Sequence, residues 1–591
     1  MRAPTPPAPA GLLRQALPFW LGFAVLYLVY RWPYVAALRQ GDPDDTLRLV
    51  QVRDLLAGQG WFDLHQYRVN PPGGVVMHWS RLVDLPLAGC ELLLRPLLGA
   101  ALAEQAATVI VPLLTFGALL LLLARLARRL FDDRLISYAA LLAGTSFPIV
   151  TQILPTRVDH HGWQIVAAVA ALLGLTDPSA RRGGWIAGVA LALGMTISLE
   201  LLPLAALFGA ALALDWLRRP GEGERFLGFM TALALAAIGG FALTRGPDLT
   251  NYCDTISPAY LASLAIAALG SVLTARFAGQ KPLAIAAGLG VSGLVAGIAL
   301  IAIAPLCRAG PFAALDPLLR TMWASNVLEA MPVWALDNPA KAQWIVPPLA
   351  GLVATFLLWR SGAAEDRRRW LAYGLVLCGS LVLGSLVLRS MAFAIAFALV
   401  PLAWLVRSLA AQLETAPGLP RKVGIAALLL VLVMPAMPVY FADSLLGTAE
   451  EADGGEAGAT GTGGDNAMTA VRALAALPRG TVFAPLDQGP LLLLNTHHSV
   501  VATGHHRGAP AMHDVMTAFL VDPPVARTIL ARHGVRYVFM APAGNEVGVY
   551  RSMAPHGFAA QLSNGHTPDW LTPVTMPRDS GVLAFEMRQQ P

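Results

Sequence analysis

The amino-acid sequence predicts a polytopic α-helical membrane protein of about thirteen transmembrane helices that ends in a C-terminal soluble α/β domain. Three observations carry this prediction. The 591-residue chain is 56% hydrophobic and only 13% charged, about half the charged fraction of an ordinary soluble domain. Apolar runs near the length of about 20 residues that crosses a bilayer core recur from residue 16 to residue 441. Arg and Lys then collect at alternate junctions between those runs, as the charge rule for cytoplasmic loops requires.

The N-terminus, MRAPTPPAPAGLLRQ, is short, Pro-rich and weakly basic, and the apolar run after it is too long for a signal peptide. Residues 16–38 therefore read as a retained first membrane helix. Further runs lie near 104–124, 135–152, 163–176, 184–199, 201–217, 226–244 and 258–275, then near 282–304, 343–360, 370–387, 390–410 and 423–441. The basic junctions hold Arg125, Arg128, Arg129 and Arg134; Arg181 and Arg182; Arg218, Arg219 and Arg225; and Arg276 and Lys281. They continue with Arg360 and Arg367 to Arg369, and with Arg407, Arg421 and Lys422. A cytoplasmic N-terminus then leaves 39–103, 153–162, 245–257, 305–342 and everything after about 442 outside. The expected location is the inner membrane, with the C-terminal domain in the periplasm.

That organisation divides the chain into a transmembrane domain (1–442), a flexible linker (443–466) and an α/β domain (467–591). The linker is a Gly/Ala/acid stretch of the kind that stays flexible. Apolar runs at 481–484, 491–494 and 536–541 suggest the α/β domain, and residues 85–102 are amphipathic enough to lie on a membrane surface. The net charge of +5 does not point to nucleic acid, because the basic residues are spread between apolar runs. Cys90, Cys253, Cys307 and Cys378 are scattered. Neither a disulfide framework nor a cysteine metal site is expected from them.

Polar chemistry gathers in the outer segments. The first begins GDPDDTLR, and clustered carboxylates such as Asp42, Asp44 and Asp45 suit a hard divalent cation. Asp42 or Asp45 would equally serve as the N-cap of the following helix. The second, ILPTRVDHHGWQI, packs Arg157, Asp159, His160 and His161 into about ten residues. Asp159 and His161 could share a metal, or could be a cap and an interfacial imidazole. Ionisable groups at a membrane edge need partners, which favours a site. Glu329 stands alone in the apolar stretch RTMWASNVLEAMPVW, and Arg389 interrupts LVLRSMAFAIAF near the outer face. A guanidinium at that depth either finds an anion, a lipid phosphate being the natural one, or snorkels to headgroups.

In this order the pieces resemble the catalytic subunit of oligosaccharyltransferase, within the GT-C membrane glycosyltransferases. DPDDTLR (Asp42–Arg48) stands where that family has an Asp-Pro-Tyr-Tyr-His-x-Arg-like stretch, and Asp159-His160-His161 where it has a second acidic motif. SNVLEAMP puts Glu329 in its short fifth-loop motif, and Arg389 occupies the place of its phosphate-contacting arginine. The resemblance implies that Asp42, Asp159 and His161 hold Mn²⁺ or Mg²⁺, with Asp45 and Glu329 in the catalytic group. It also implies that Arg48 and Arg389 bind a polyprenyl-linked sugar donor. The family's Trp-Trp-Asp acceptor motif is missing: VFAPLDQGPLLL keeps Asp487 and Gly489 but no tryptophan pair. Asp487 remains the candidate substrate contact there, and the acceptor is a protein, a lipid or a glycan.

Two other classes bear on this reading. A lipid-linked oligosaccharide transporter would place charge at mid-membrane, whereas these helix interiors are nearly free of it. A metal-independent surface-polysaccharide polymerase or ligase would keep the long loop and the arginine but dispense with the ion. In the tail, His497, His498, His505, His506 and His513 lie close in sequence without metal-site spacing, and read as solvated loops.

Overall fold

The structure is a computed structural model and describes residues 9–312, 315–446 and 463–588. Every apolar run found in the sequence is helical. The first half holds α1 (Pro9–Ala36), α2 (Pro43–Leu56), α3 (Arg81–Leu130), α4 (Leu135–Thr145), α5 (Phe147–Val150), α6 (His161–Leu175), α7 (Ala180–Ile197), α8 (Leu202–Arg218) and α9 (Glu224–Thr244). The second holds α10 (Pro258–Phe277), α11 (Pro282–Ile303), α12 (Pro317–Met322), α13 (Asn338–Ser361), α14 (Ala364–Leu386), α15 (Met391–Thr415), α16 (Leu419–Val433) and α17 (Ala436–Leu446).

Fewer helices than the expected thirteen or so meet the length and composition of a full span. Among the described residues nine helices are long and apolar enough to cross a membrane, or ten if α16 and α17, bent by 103°, form one span. Three helices make the difference: α7 has 18 residues but opens on Arg181 and Arg182, and the other two are short. At 11 and 15 residues, α4 and α6 fall short of the roughly 20 that a crossing needs.

Small residues let these helices approach closely. A Cβ at Gly184 would meet Arg225 O at 2.2 Å, and one at Gly188 would meet Phe229 O at 2.5 Å. The Gly-x-x-x-Gly face of α7 therefore lies directly on the α9 backbone. The centre of the bundle is α15, whose residues Met391–Ala403 are all buried. Tyr373 of α14 donates to Phe397 O on it at 2.6 Å.

Successive helices run up and down, so their connections sort to two ends. One end carries the Arg-rich junctions, closed by pairs such as Arg129–Asp177 (3.1 Å) and Arg407–Asp132 (2.7 Å). The other gathers 37–80, 151–160, 198–201, 245–257, the described part of 304–337, and 387–390. α3 breaks at Gly99 (φ 75°), a left-handed conformation open to glycine. Its first half, the predicted surface stretch, exposes Leu92, Leu93 and Leu97.

Beyond residue 463 lies a five-stranded mixed sheet in the order β4-β3-β5-β7-β6. Its strands are β3 (Thr481–Phe483), β4 (Ser499–Val500), β5 (Val535–Met540), β6 (Leu571–Pro573) and β7 (Leu583–Met587), while β1 (His65–Gln66) and β2 (Val75–Val76) form a separate hairpin. This agrees with the α/β expectation. Most of the proposed linker, 447–462, lies outside the described residues. The sheet region does not stand apart from the rest. The first connecting segment adds to the β4 edge, with Asn70 N–H to Val500 O at 2.9 Å and Val500 N–H to Arg68 O at 2.8 Å. One apolar core joins Leu47, Val50 and Val69 to Val471, Leu492 and Val500.

The cysteine expectation is overturned in part: Cys253 and Cys307 form a disulfide. Fifty-four residues separate them in sequence, but their two segments fold against each other, which spacing alone does not reveal.

Candidate active site

α2 places the first acidic cluster. Pro43 suits its first position and Asp44 and Asp45 its first turn, where the helix dipole favours negative charge. Asp42 is the N-cap, accepting Asp44 N–H at 2.8 Å, and it pairs with Arg157 at 2.9 Å. Asp45 is fully buried and accepts the backbone N–H groups of Val158 (2.7 Å) and Asp159 (2.9 Å). It also meets Arg157 at 3.0 Å. Asp45 thus ties α2 to the 151–160 segment. Burial pushes its carboxyl up to about 7, with Arg157 opposing.

The third carboxylate of this turn is Asp44. It lies within electrostatic reach of Asp159, Glu329 and Arg389. Burial, together with the Asp42 and Asp159 carboxylates, raises its pKa well above the usual carboxylate range. The sequence reading assigned this place to Asp42. One residue separates the two, and Asp42 is engaged as the N-cap and with Arg157.

Asp159 sits just ahead of α6. It is hydrogen-bonded by His160 Nδ1, stands 2.9 Å from His161 Nδ1 and meets Arg48 Nη2 at 3.5 Å. The two imidazoles outweigh burial and hold its carboxyl well below the usual range. Ligating atoms of Asp159, His160 and His161 all lie within 4.8 Å of one another. Asp159 Oδ2 and both nitrogens of His161 are buried without a hydrogen-bond partner. The 2.9 Å approach between them is not aligned as donor and acceptor.

Across the site, His161 Nε2 lies 3.9 Å from Glu329 Oε2, and Glu329 accepts from Arg389 Nε at 2.8 Å. Although burial opposes it, Arg389 and His161 hold the Glu329 carboxyl down at about 2. Arg389 Nη1 is taken by Glu200, which also accepts from Gln164 at 3.1 Å. Glu200 was missed in the sequence, hidden at the boundary of two apolar runs in ISLELLP. The signal was available, because the alternation of junctions puts that turn at the same end as Asp159 and Arg389.

Arg48 is brought near but stays inside. It is completely buried, its Nη1 bonded to Asp84 at 3.0 Å, with its guanidinium over the Trp79 ring. This corrects its reading as a donor-binding residue: a guanidinium closed in on all sides supports Asp159 from below. Asp487 of the sheet region comes within electrostatic reach of Asp42. Its Oδ1 would be 4.0 Å from a Cβ on Gly504, which Trp323 also approaches. The structure thus brings Asp44, Asp159, His161, Glu329 and Arg389 together, with Asp42, Asp45 and Arg48 behind them and Asp487 in reach of Asp42.

No protein-family model matches this chain, and no curated protein matches it in sequence. Solved structures do. The oligosaccharyltransferase AglB of Archaeoglobus fulgidus, in complex with an inhibitory peptide and a dolichol-phosphate, matches with a TM-score of 0.61 at 15% identity, over 97% of this chain and 74% of that one. The Archaeoglobus fulgidus oligosaccharyltransferase tethered to an acceptor peptide with the NVT sequon matches at 0.56 and 14% identity, over 97% and 74%. Its complex with Zn and sulfate matches at 0.56 and 14%, over 96% and 73%. At these identities the likeness is one of fold. The chain shares the fold of the archaeal oligosaccharyltransferase over nearly its whole length.

Proposed function

We propose that this protein is a glycosyltransferase that moves a sugar or oligosaccharide from a polyprenyl-(pyro)phosphate donor to an acceptor at the outer face of the inner membrane. The observation that carries this reading is the meeting of Asp44, Asp159, His161 and Glu329, from three segments distant in sequence, opposite Arg389. Such a site suits departure of an anionic phosphate from a sugar carbon.

Arg389 is prepared for that task. An arginine has five N–H donors, and three of its nitrogens each engage Glu329 or Glu200. Clamped on both sides at the entry of the rigid α15, it keeps remaining Nη hydrogens for a phosphate. Glu329, held ionised, accepts a hydrogen bond from the incoming acceptor and orients it. Asp487 and Trp323 line the mouth through which the acceptor enters.

The side chains also fit a divalent ion, Mn²⁺ or Mg²⁺. Asp42, Asp44, Asp45, Asp159, Glu200 and Glu329 outnumber Arg48, Arg157 and Arg389, and the atoms without partners at Asp159 and His161 are good ligands. Asp159 and His161 would hold the ion, with Asp44 in place of Asp42. When bound, the ion would supply positive charge beside the leaving phosphate.

The test is an assay of the purified protein with a polyprenyl-phosphate-linked sugar. Transfer or donor hydrolysis is expected, lost on chelation and restored by Mn²⁺ or Mg²⁺. No turnover with any such donor would overturn the reading. A second reading, a metal-independent polymerase or ligase, is favoured by one observation: Arg157 already neutralises Asp42 and Asp45. Activity that survives both chelation and Asp159→Asn, but not Arg389→Ala, would establish it.

A further inference from the structure

A second group of ligating side chains forms away from the acidic centre. His78 stands just before α3, Asp254 lies in the 245–257 segment, and His505 and His506 lie on the turn before the helix Ala509–Leu520. Ligating atoms of His78, Asp254 and His506 all come within 4.8 Å of one another. The His78 ring centroid is 4.8 Å from that of His505 and 4.8 Å from that of His506. His78 Nδ1 meets His505 Nε2 at 2.8 Å, and His506 Nε2 meets Asp254 Oδ2 at 2.7 Å.

Next to His78, Asp254 and His506, a third imidazole is buried with one ring nitrogen facing His78 and the other unbonded. His505 is only 5% exposed, yet its Nδ1 has no hydrogen-bond partner. The surroundings are built to hold the ring and carboxylate positions. Arg507 grips both oxygens of Asp254 (2.8 and 2.7 Å), and Arg245 donates to His78 O at 2.9 Å. Such outer partners orient metal ligands.

We propose that His78, Asp254 and His506, with His505 packed beside them, form a structural site for a transition-metal ion of the Zn²⁺ class, distinct from the acidic centre. Two imidazoles and one carboxylate make a nitrogen-rich set, which selects zinc over the oxygen-seeking Mg²⁺ or Mn²⁺ and leaves a fourth position for water or a further ligand. The position defines the role. His78 belongs to the segment that leads into α3, and Asp254 adjoins Cys253, whose disulfide reaches the 304–337 segment that carries Glu329. His505 follows Gly504, beside Trp323 and Asp487. One ion would hold the C-terminal sheet region and the Glu329 segment in register over the acidic centre.

The test uses the full-length protein purified in detergent, loaded with Zn²⁺ and freed of excess. Metal analysis is expected to give one zinc per chain that Asp159→Asn retains, and that His78→Asn and His506→Asn lower at least tenfold. X-ray absorption at the zinc edge of the unmutated protein, which no folding defect can confound, is expected to show N/O ligands at about 2.0–2.1 Å with imidazole scattering. A protein that takes up no zinc would overturn the proposal. So would zinc lost with Asp159→Asn but kept with His78→Asn, or a zinc edge without imidazole. None of these readouts depends on glycosyl transfer.

Discussion

Two clusters of opposite charge lie back to back at one end of the bundle, and they differ in how far they are closed. In the inner one, Asp84 accepts from Arg48 (3.0 Å), Arg81 (3.2 Å) and Gln51 (2.7 Å), and Asp84, Arg48 and Arg81 are all fully buried. In the outer one, Asp159 Oδ2 and His161 are left without hydrogen bonds, while Glu329, Glu200 and Arg389 are each about a quarter to a third exposed. Arg48 touches both. Both clusters keep unbonded atoms, Arg48 Nε, Arg81 Nε and Gln51 Oε1 in the inner one, but the same residue types make an interior lattice shut from solvent and a face that is partly open. Charge density alone does not mark a site. Incomplete closure does.

The largest effect should come from opening the closed cluster. Asp84→Ala strands Arg48 and Arg81 in the interior, and removal of one partner from a buried network costs about 3–5 kcal/mol. A sharp fall in Tm, or failure to recover folded protein, is expected. A Tm like that of the unmutated protein would erase the distinction between the two clusters.

Next in size, Asp44→Asn and Asp159→Asn should each lower turnover roughly 10²–10³-fold while leaving Tm nearly unchanged. Asp42→Asn, which loses a cap and one ion pair, should lower Tm more than turnover. If Asp42→Asn proves the more damaging to turnover, the assignment of Asp44 is wrong. Glu200→Gln should be milder, about tenfold or roughly 1.4 kcal/mol. It removes one of the two carboxylates steering Arg389, and should appear mainly in the KM for the lipid donor.

The smallest expected effect lies in the sheet region. His498 is fully buried, accepts Gly480 N–H at 3.2 Å and contacts Leu474 O at 2.9 Å through Nε2. Burial lowers its pKa from the ordinary 6.5, so the folded state holds it neutral. The unfolded chain takes up a proton first as pH falls. This stabilisation is therefore complete above about pH 6.5 and is lost progressively below it. A His498→Gln variant, less stable at neutral pH, should show a flatter Tm profile between pH 5 and 7. An equally steep profile would exclude His498 as its source.

The helices were legible because composition, run length and the alternation of arginines all point the same way. Glu329 and Arg389 stood out as charges in apolar surroundings. Legibility failed where three-dimensional detail decides. Asp42 and Asp44 are equivalent in composition, and only the start of α2 separates a cap from a first-turn residue. Arg48 fits a motif by spacing, yet the face of α2 it occupies is buried. Glu200 looked like part of a turn. The tail histidines read as solvated, whereas His498 and His505 are interior, and His78 and Asp254, which meet His505 and His506, lie hundreds of residues away. Pairing between distant segments leaves no local mark, which is also why the Cys253–Cys307 bond was not foreseen.

The strand at Ser499–Val500 is finished by the chain near Arg68–Asn70, so the C-terminal sheet borrows its last row of hydrogen bonds from the loop after the first helix. Excising the sheet region for separate expression would leave a raw strand border facing water, and such borders recruit other chains. The isolated fragment should therefore self-associate, and a version carrying a fused copy of residues 66–77 should be better behaved.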